Sequence, residues 1–210
     1  MTVSLSILRR TTAAALAIAC LVPLTAQSAE RMAEIKMFAP ENGQRVGVGG
    51  FGWIVDLKIE FDVPLERTGF TSFQLTGPGA HNNVPPMLGT FSPGRDDRLP
   101  GLIVLVSTAT IGAQSCQNLA NLFNLTGVTH NEAERAELWD TWIVGAPLFG
   151  VNTRSTVYAA IAADKDFDQI LNDAPDVIPD ADSNGICDDK DLKAFGVSSN
   201  IRKATFFINQ

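Results

Sequence analysis

Between residues 53 and 63, apolar and charged side chains alternate. Trp53, Val55, Leu57, Ile59, Phe61 and Val63 share one parity, and Asp56, Lys58, Glu60 and Asp62 the other. Successive side chains of an extended chain point to opposite faces, so this stretch predicts a strand with one face in a core and one in water. Residues 102–106 are apolar without a break, the pattern of a strand covered on both faces. Residues 155–163 place Val157, Ala159 and Ile161 on one face, and residues 201–208 do the same with Ala204, Phe206 and Ile208. Residues 35–38, followed by Pro40 and Asn42-Gly43, read as a strand and its turn. Residues 70–76 and 142–148 are further strand candidates. Strands do not alternate regularly with helices, and 17 Gly, 11 Pro and a charged fraction of 19% suit a turn-rich β protein. The expected fold is an antiparallel β-sandwich. Within it, residues 117–123 predict a short helix, and Thr129-His130-Asn131-Glu132 has the spacing of a capping box opening a helix to Trp139. A small helical insertion is therefore expected over residues 113–140.

Residues 1–29 predict a secretory signal outside this fold. Arg9 and Arg10 precede an apolar run over residues 11–24, and Ala26 and Ala29 offer small-residue cleavage sites. The run is shorter than the ~20 residues of a spanning helix. The expected destination is the periplasm or the exterior, with no membrane association after cleavage and residues 30–210 forming one domain. Two cysteines then remain, Cys116 and Cys187; export favours a disulfide between them, and two separate buried thiols are the alternative. With Arg9 and Arg10 removed, 14 basic residues face 23 acids. The excess is local: residues 164–191 carry ten Asp against Lys165 and Lys190. No basic footprint for nucleic acid exists, and so many neighbouring carboxylates require screening by water or a cation.

Gly47, Gly49 and Gly52 match the spacing of a dinucleotide-binding loop, but a strand follows where that motif needs a helix. The opening (a short strand, Pro40-Glu41-Asn42-Gly43, a glycine-rich bend and a long strand) resembles bacterial immunoglobulin-like domains. That resemblance implies an immunoglobulin-like sandwich. The last two strands would form a hairpin joined by the acidic segment.

Residues 180–191 carry the chemistry. Asp180, Asp182 and Asn184 can turn alternate side-chain oxygens to one centre, and Gly185 permits the bend after them. Ile186 would offer its carbonyl, Asp188 would bind directly or through water, and Asp191 would close the shell. Six oxygen positions at this spacing are what calcium requires. The loop resembles that of EF-hands and, more closely, one half of a dockerin repeat, on Asp180, Asp182, Asn184, Gly185, Asp188 and Asp191, followed by Leu192 and a helix-like stretch to Phe195. Closure by Asp191, shorter than Glu, predicts a dissociation constant on the order of 10⁻⁴ to 10⁻³ M, the range of extracellular modules. Asp164, Asp166 and Asp168 repeat the alternation, with Gln169 where glycine is expected; a second ion shared with Asp173 or Asp176 and a plain solvated acidic surface are both open.

No HExxH helix, Cys-x-x-Cys pair or Gly-x-Ser-x-Gly elbow is present. His81 and His130 read as local hydrogen-bonding groups, and Trp53 as core. The expected function is a non-enzymatic calcium-binding module for binding, adhesion or surface assembly, with a protein or glycan partner. Two alternatives are a calcium-dependent carbohydrate-binding module using Trp139 or Trp142, and a hydrolase with a site near His81 and Asp96.

Overall fold

The computed structural model describes residues 30–47, 53–70, 99–108, 115–121, 124–144 and 151–209. Among these residues, eight strands form two four-stranded sheets. In chain order they are β1 (Ala33–Ala39), β2 (Arg45–Val46), β3 (Trp53–Phe61), β4 (Leu102–Thr108), β5 (Asn124–Glu132), β6 (Arg135–Val144), β7 (Thr153–Ile161) and β8 (Arg202–Ile208). One sheet has the order β1-β3-β6-β5 and the other β2-β8-β7-β4. All pairings between strands are antiparallel except β2 with β8. After β1 the chain passes the cis Ala39–Pro40 peptide and crosses to the opposite sheet, where β2 runs parallel to β8.

The alternation in β3 places Trp53, Val55, Leu57, Ile59 and Phe61 in the core between the sheets. They meet Val104, Val106, Val157, Ala159, Ile161, Ala204, Phe206 and Ile208 from the other sheet, and Trp53 lies 4.6 Å from the Phe206 ring. The expected sandwich is therefore present, as is the antiparallel pairing of the last two strands. The unbroken run in β4 also has its expected environment. Leu102, Val104 and Val106 face the core, while Ile103 and Leu105 face the opposite way and are equally buried.

The expected helical insertion over residues 113–140 is corrected. Residues 119–121 make one 3-10 turn, and residues 124–144 form the β5–β6 hairpin. The residues read as a capping box lie at the end of β5, beside the turn at Ala133 and Glu134. Glu132 pairs with Arg135 across that turn. Ala136 and Leu138 are buried while Glu137 is half-buried, a period of two. The run Ala133-Glu134-Arg135-Ala136-Glu137-Leu138 has good helix formers, but β3 pairs with β6 along its whole length and supplies the core face that an isolated helix would lack. Beyond Phe70, the expected strand at 70–76 lies outside the described residues, as does the signal at 1–29.

On the outer face of the first sheet, Glu60 accepts from Lys36 at 2.8 Å and pairs with Lys58 at 3.1 Å and Arg135 at 3.0 Å; Lys58 also reaches Glu137 at 2.7 Å. The Lys36 hydrogen bond, with that of Lys58, holds the Glu60 carboxyl at about 2, against an ordinary 4.5. A carboxyl lowered in the folded state stabilises it fully above its unfolded pKa and loses that contribution as pH falls through the folded one. Glu60→Gln should therefore lower the unfolding free energy at neutral pH by about 1–3 kcal/mol, after discounting for partial exposure. Urea titrations at decreasing pH should show the difference from wild type shrinking below pH 4.5 and closing near about 2. A difference independent of pH would mean that the network does not stabilise the sheet.

Candidate metal centre

Ile103, Leu105, Tyr158, Ala160 and Ala162 form an apolar outer face on the second sheet. The acidic connection between β7 and β8 folds back over it. Ile178, Cys187 and Leu192 pack there, with Ala174, Phe195, Val197 and Ile201 at the margin. A disulfide joins Cys116 to Cys187. Around it, Cys187 N–H donates to Ser115 Oγ at 2.9 Å, Ile178 N–H to the Cys116 carbonyl at 2.8 Å, and Asn118 N–H to the Asp176 carbonyl at 2.8 Å. Asn118 is itself fixed to β4: its Oδ1 accepts from Val104 N–H and its Nδ2 donates to the Leu102 carbonyl, each at 3.0 Å.

This anchoring shapes the loop at residues 180–191. Asp180 accepts from Gly185 N–H at 2.7 Å and Asn184 N–H at 3.2 Å. Asp182 Oδ1 accepts from Asn184 N–H at 3.2 Å, and Asn184 Oδ1 from Ile186 N–H at 2.7 Å. Gly185 has φ of 82°, a left-handed conformation that suits a residue without Cβ. Asp188 leads into helix α1 (Asp189–Phe195), its Oδ1 accepting from Lys190 N–H at 2.7 Å. Asp191 is wholly buried and bonds both ways: Oδ1 accepts from Ala181 N–H and Oδ2 from Asp188 N–H, each at 2.8 Å.

The outcome is a carboxylate cluster. One oxygen from each of Asp180, Asp182 and Asp191 lies within 4.8 Å of the others. Each such oxygen can accept more than one hydrogen bond, so the backbone N–H groups leave coordination capacity. Asp188 stands outside this carboxylate group and serves as the helix cap. Asn184 adjoins the group through Asp180 and Asp182, whose oxygens bind its N–H; Ile186 follows it in the chain.

A second loop repeats this arrangement at residues 164–173. Asp164 Oδ2 accepts from Gln169 N–H at 2.9 Å, Asp166 Oδ1 from Asp168 N–H at 3.1 Å, and Asp168 Oδ1 from Ile170 N–H at 2.7 Å. Phe167 and Gln169 have φ of 62° and 72°, and Ser183 and Gly185 at the matching positions have 56° and 82°. Asp173 accepts from Lys165 N–H, as Asp191 does from Ala181 N–H. One oxygen each from Asp164, Asp166 and Asp173 lies within 4.8 Å of the others. Asp168, the third of the alternating acids, stands outside this group, and Asp176 contributes its carbonyl to the anchor beside the disulfide. Sequence spacing obscured the second loop in two ways: Gln169 takes the left-handed conformation where glycine was expected, and the closing acid comes two residues earlier than in the other loop.

The second loop is held by the start of β4. The Leu171 carbonyl lies 2.0 Å from where a Cβ on Gly101 would stand, so only glycine admits it. Leu171 N–H donates to the Arg67 carbonyl, and Arg67 Nε to the Gln169 carbonyl, both at 2.8 Å. Asp164 Oδ1 is buried without a hydrogen-bond partner. The Asp168 N–H pulls the Asp166 carboxyl down, but desolvation and repulsion from Asp168, Asp173 and Asp164 outweigh it and raise its pKa. Carboxylates so arranged attract a hard cation and repel one another without it.

Of the residues considered for catalysis or sugar binding, Trp53 is core and His130 is an exposed side chain on the hairpin, 2.8 Å from Glu132. His81, Asp96 and the side chains of Trp139 and Trp142 lie outside the described residues. The unequal burial of Asp191 and Asp182 gives a test in calcium-free buffer. Asp191→Ala leaves two backbone N–H groups unpaired and should cost about 2–4 kcal/mol, while exposed Asp182→Ala should stay within about 0.5 kcal/mol. Equal losses in chemical denaturation would show that Asp191 does not pin the loop.

Comparison with known protein families, with curated proteins and with solved structures finds no match for this chain.

Proposed function

We propose that this chain is an exported, non-enzymatic β-sandwich module that binds calcium, and that the ion orders the acidic cover of the second sheet. The observation that carries this reading is the convergence of Asp180, Asp182 and Asp191 at the mouth of a helix-capped loop whose glycine has the required left-handed backbone. Asn184, the Ile186 carbonyl and Asp188, directly or through water, would complete an oxygen shell of the size calcium prefers. The matching geometry at Asp164, Asp166 and Asp173 supports a second ion. Export is supported by the Cys116–Cys187 disulfide, which persists in oxidising compartments, and by the signal-like residues 1–29. An immunoglobulin-like sandwich is supported by the crossing of the chain between sheets after β1, which lets β2 run parallel to β8. The biological role is binding, adhesion or surface assembly with a protein or glycan partner.

Calorimetric titration of the chain lacking residues 1–29 should show saturable calcium binding on the order of 10⁻⁴ to 10⁻³ M. At a calcium concentration of about 100 times the dissociation constant, the fold should gain about 2.7 kcal/mol for each ion bound. Asp180→Ala should remove one ion and Asp164→Ala the other. No heat and no thermal stabilisation up to about 10 mM calcium, well above that affinity range, would sink the reading.

One observation favours a calcium-dependent carbohydrate-binding module as a second reading. Phe167 is 84% exposed between Asp166 and Asp168, an aromatic face beside the second cluster. Stacking of a sugar ring there would require Phe167→Ala to abolish glycan binding in calcium while leaving calcium affinity unchanged. A glycan screen that is blank in saturating calcium would dismiss this reading and leave the first intact.

A further inference from the structure

The disulfide reaches into the calcium loop itself. Cys187 stands between Ile186 and Asp188, two proposed oxygen donors, and its side chain is wholly buried against the second sheet. Cys116 ties it to a segment that Asn118 fixes to β4. Residues 176–178 are further anchored by backbone hydrogen bonds to Cys116 and Asn118 and by the packing of Ile178 on the sheet. The covalent bond thus holds the loop's centre on the sheet, while the aspartates on either side bend toward one point.

Resting on the calcium reading above, we infer that ion occupancy and the Cys116–Cys187 disulfide are thermodynamically linked, so that the loop binds calcium tightly only in the oxidised chain. In the reducing step, a dithiol's thiolate attacks one cysteine sulfur and the other leaves as a thiolate. A second thiolate of the reductant then resolves the mixed disulfide. Two electrons pass to the protein, the dithiol becomes a cyclic disulfide, and its two protons go to the cysteine thiolates. Both sulfurs are buried, so attack needs the loop to lift from the sheet, which a bound ion resists. Linkage is reciprocal: if reduction weakens calcium binding, calcium opposes reduction by the same factor. The consequence is a metal site completed only where the chain is oxidised. A chain still in a reducing cytosol would leave it loose.

The test uses the oxidised chain in excess dithiothreitol, with thiol release followed by alkylation and mass spectrometry. About 10 mM calcium should slow reduction roughly tenfold to hundredfold relative to chelator, the factor set by the ratio of calcium to dissociation constant. Asp180→Ala should lose that protection. In the Cys116→Ser/Cys187→Ser variant, with its β structure checked by circular dichroism, calcium affinity at the same loop should fall at least about fivefold. If that variant does not fold, the reduction rate of the native chain decides alone. Calcium binding by calorimetry with an unchanged reduction rate, or an equal affinity in the folded variant, would overturn the linkage and leave the proposed function standing. Absence of calcium binding in the oxidised chain would instead remove the proposed function itself.

Discussion

Residues 102–106 of β4 and 157–161 of β7 are buried on both faces, and most of the chain after β7 follows from that. One face of the second sheet is buried by the first sheet; the other, carrying Ile103, Leu105, Tyr158 and Ala160, must be covered by something else. Burying such side chains is worth about 1.5–3 kcal/mol each relative to exposure. The cover is an unlikely composition for the task, since the segment that supplies it contains ten aspartates. It succeeds by dividing its residues: Ile178, Cys187, Leu192 and Phe195 turn to the sheet, and the carboxylates turn outward or onto backbone N–H groups.

That division accounts for the form of the two acidic loops. A loop without regular secondary structure has many backbone donors to satisfy. Alternate aspartates accept from N–H groups two to five residues ahead, so each carboxylate both replaces a missing ladder bond and bends the chain. The bends gather the charges, and the gathered charges repel one another unless water or a cation screens them. Local backbone economy and the clustering of carboxylates are thus one arrangement, built twice, at 164–173 and 180–191.

The strands were legible where burial has a clean period: β3 from its alternation, β4 from its unbroken run, and β7 and β8 from their shared one-face pattern. The β5–β6 hairpin was not, because Thr129-His130-Asn131-Glu132 and the Ala-Glu-Arg run that follows carry local helix signals, overridden by pairing with β3 that no local window contains. The loop at 180–191 was readable because Gly185 marks its bend. Its neighbour was only half readable, since Gln169 hides the same bend and Asp173 closes early. Nor does spacing reveal that Asp191 is wholly buried, because that depends on how α1 lies on the sheet.

The crossing of the chain from β1 to β2 has a mechanical consequence. β2 lies parallel to β8, held by hydrogen bonds from Gly43 to Thr205, Phe207 to Gln44 and Asn209 to Val46. Tension that enters before β2 and leaves after β8 acts along the strands, and it loads these bonds together instead of opening them one at a time. A module tethered at one end and pulled at the other would resist extension at this seam first, near the last strand and far along the chain from where the pull enters.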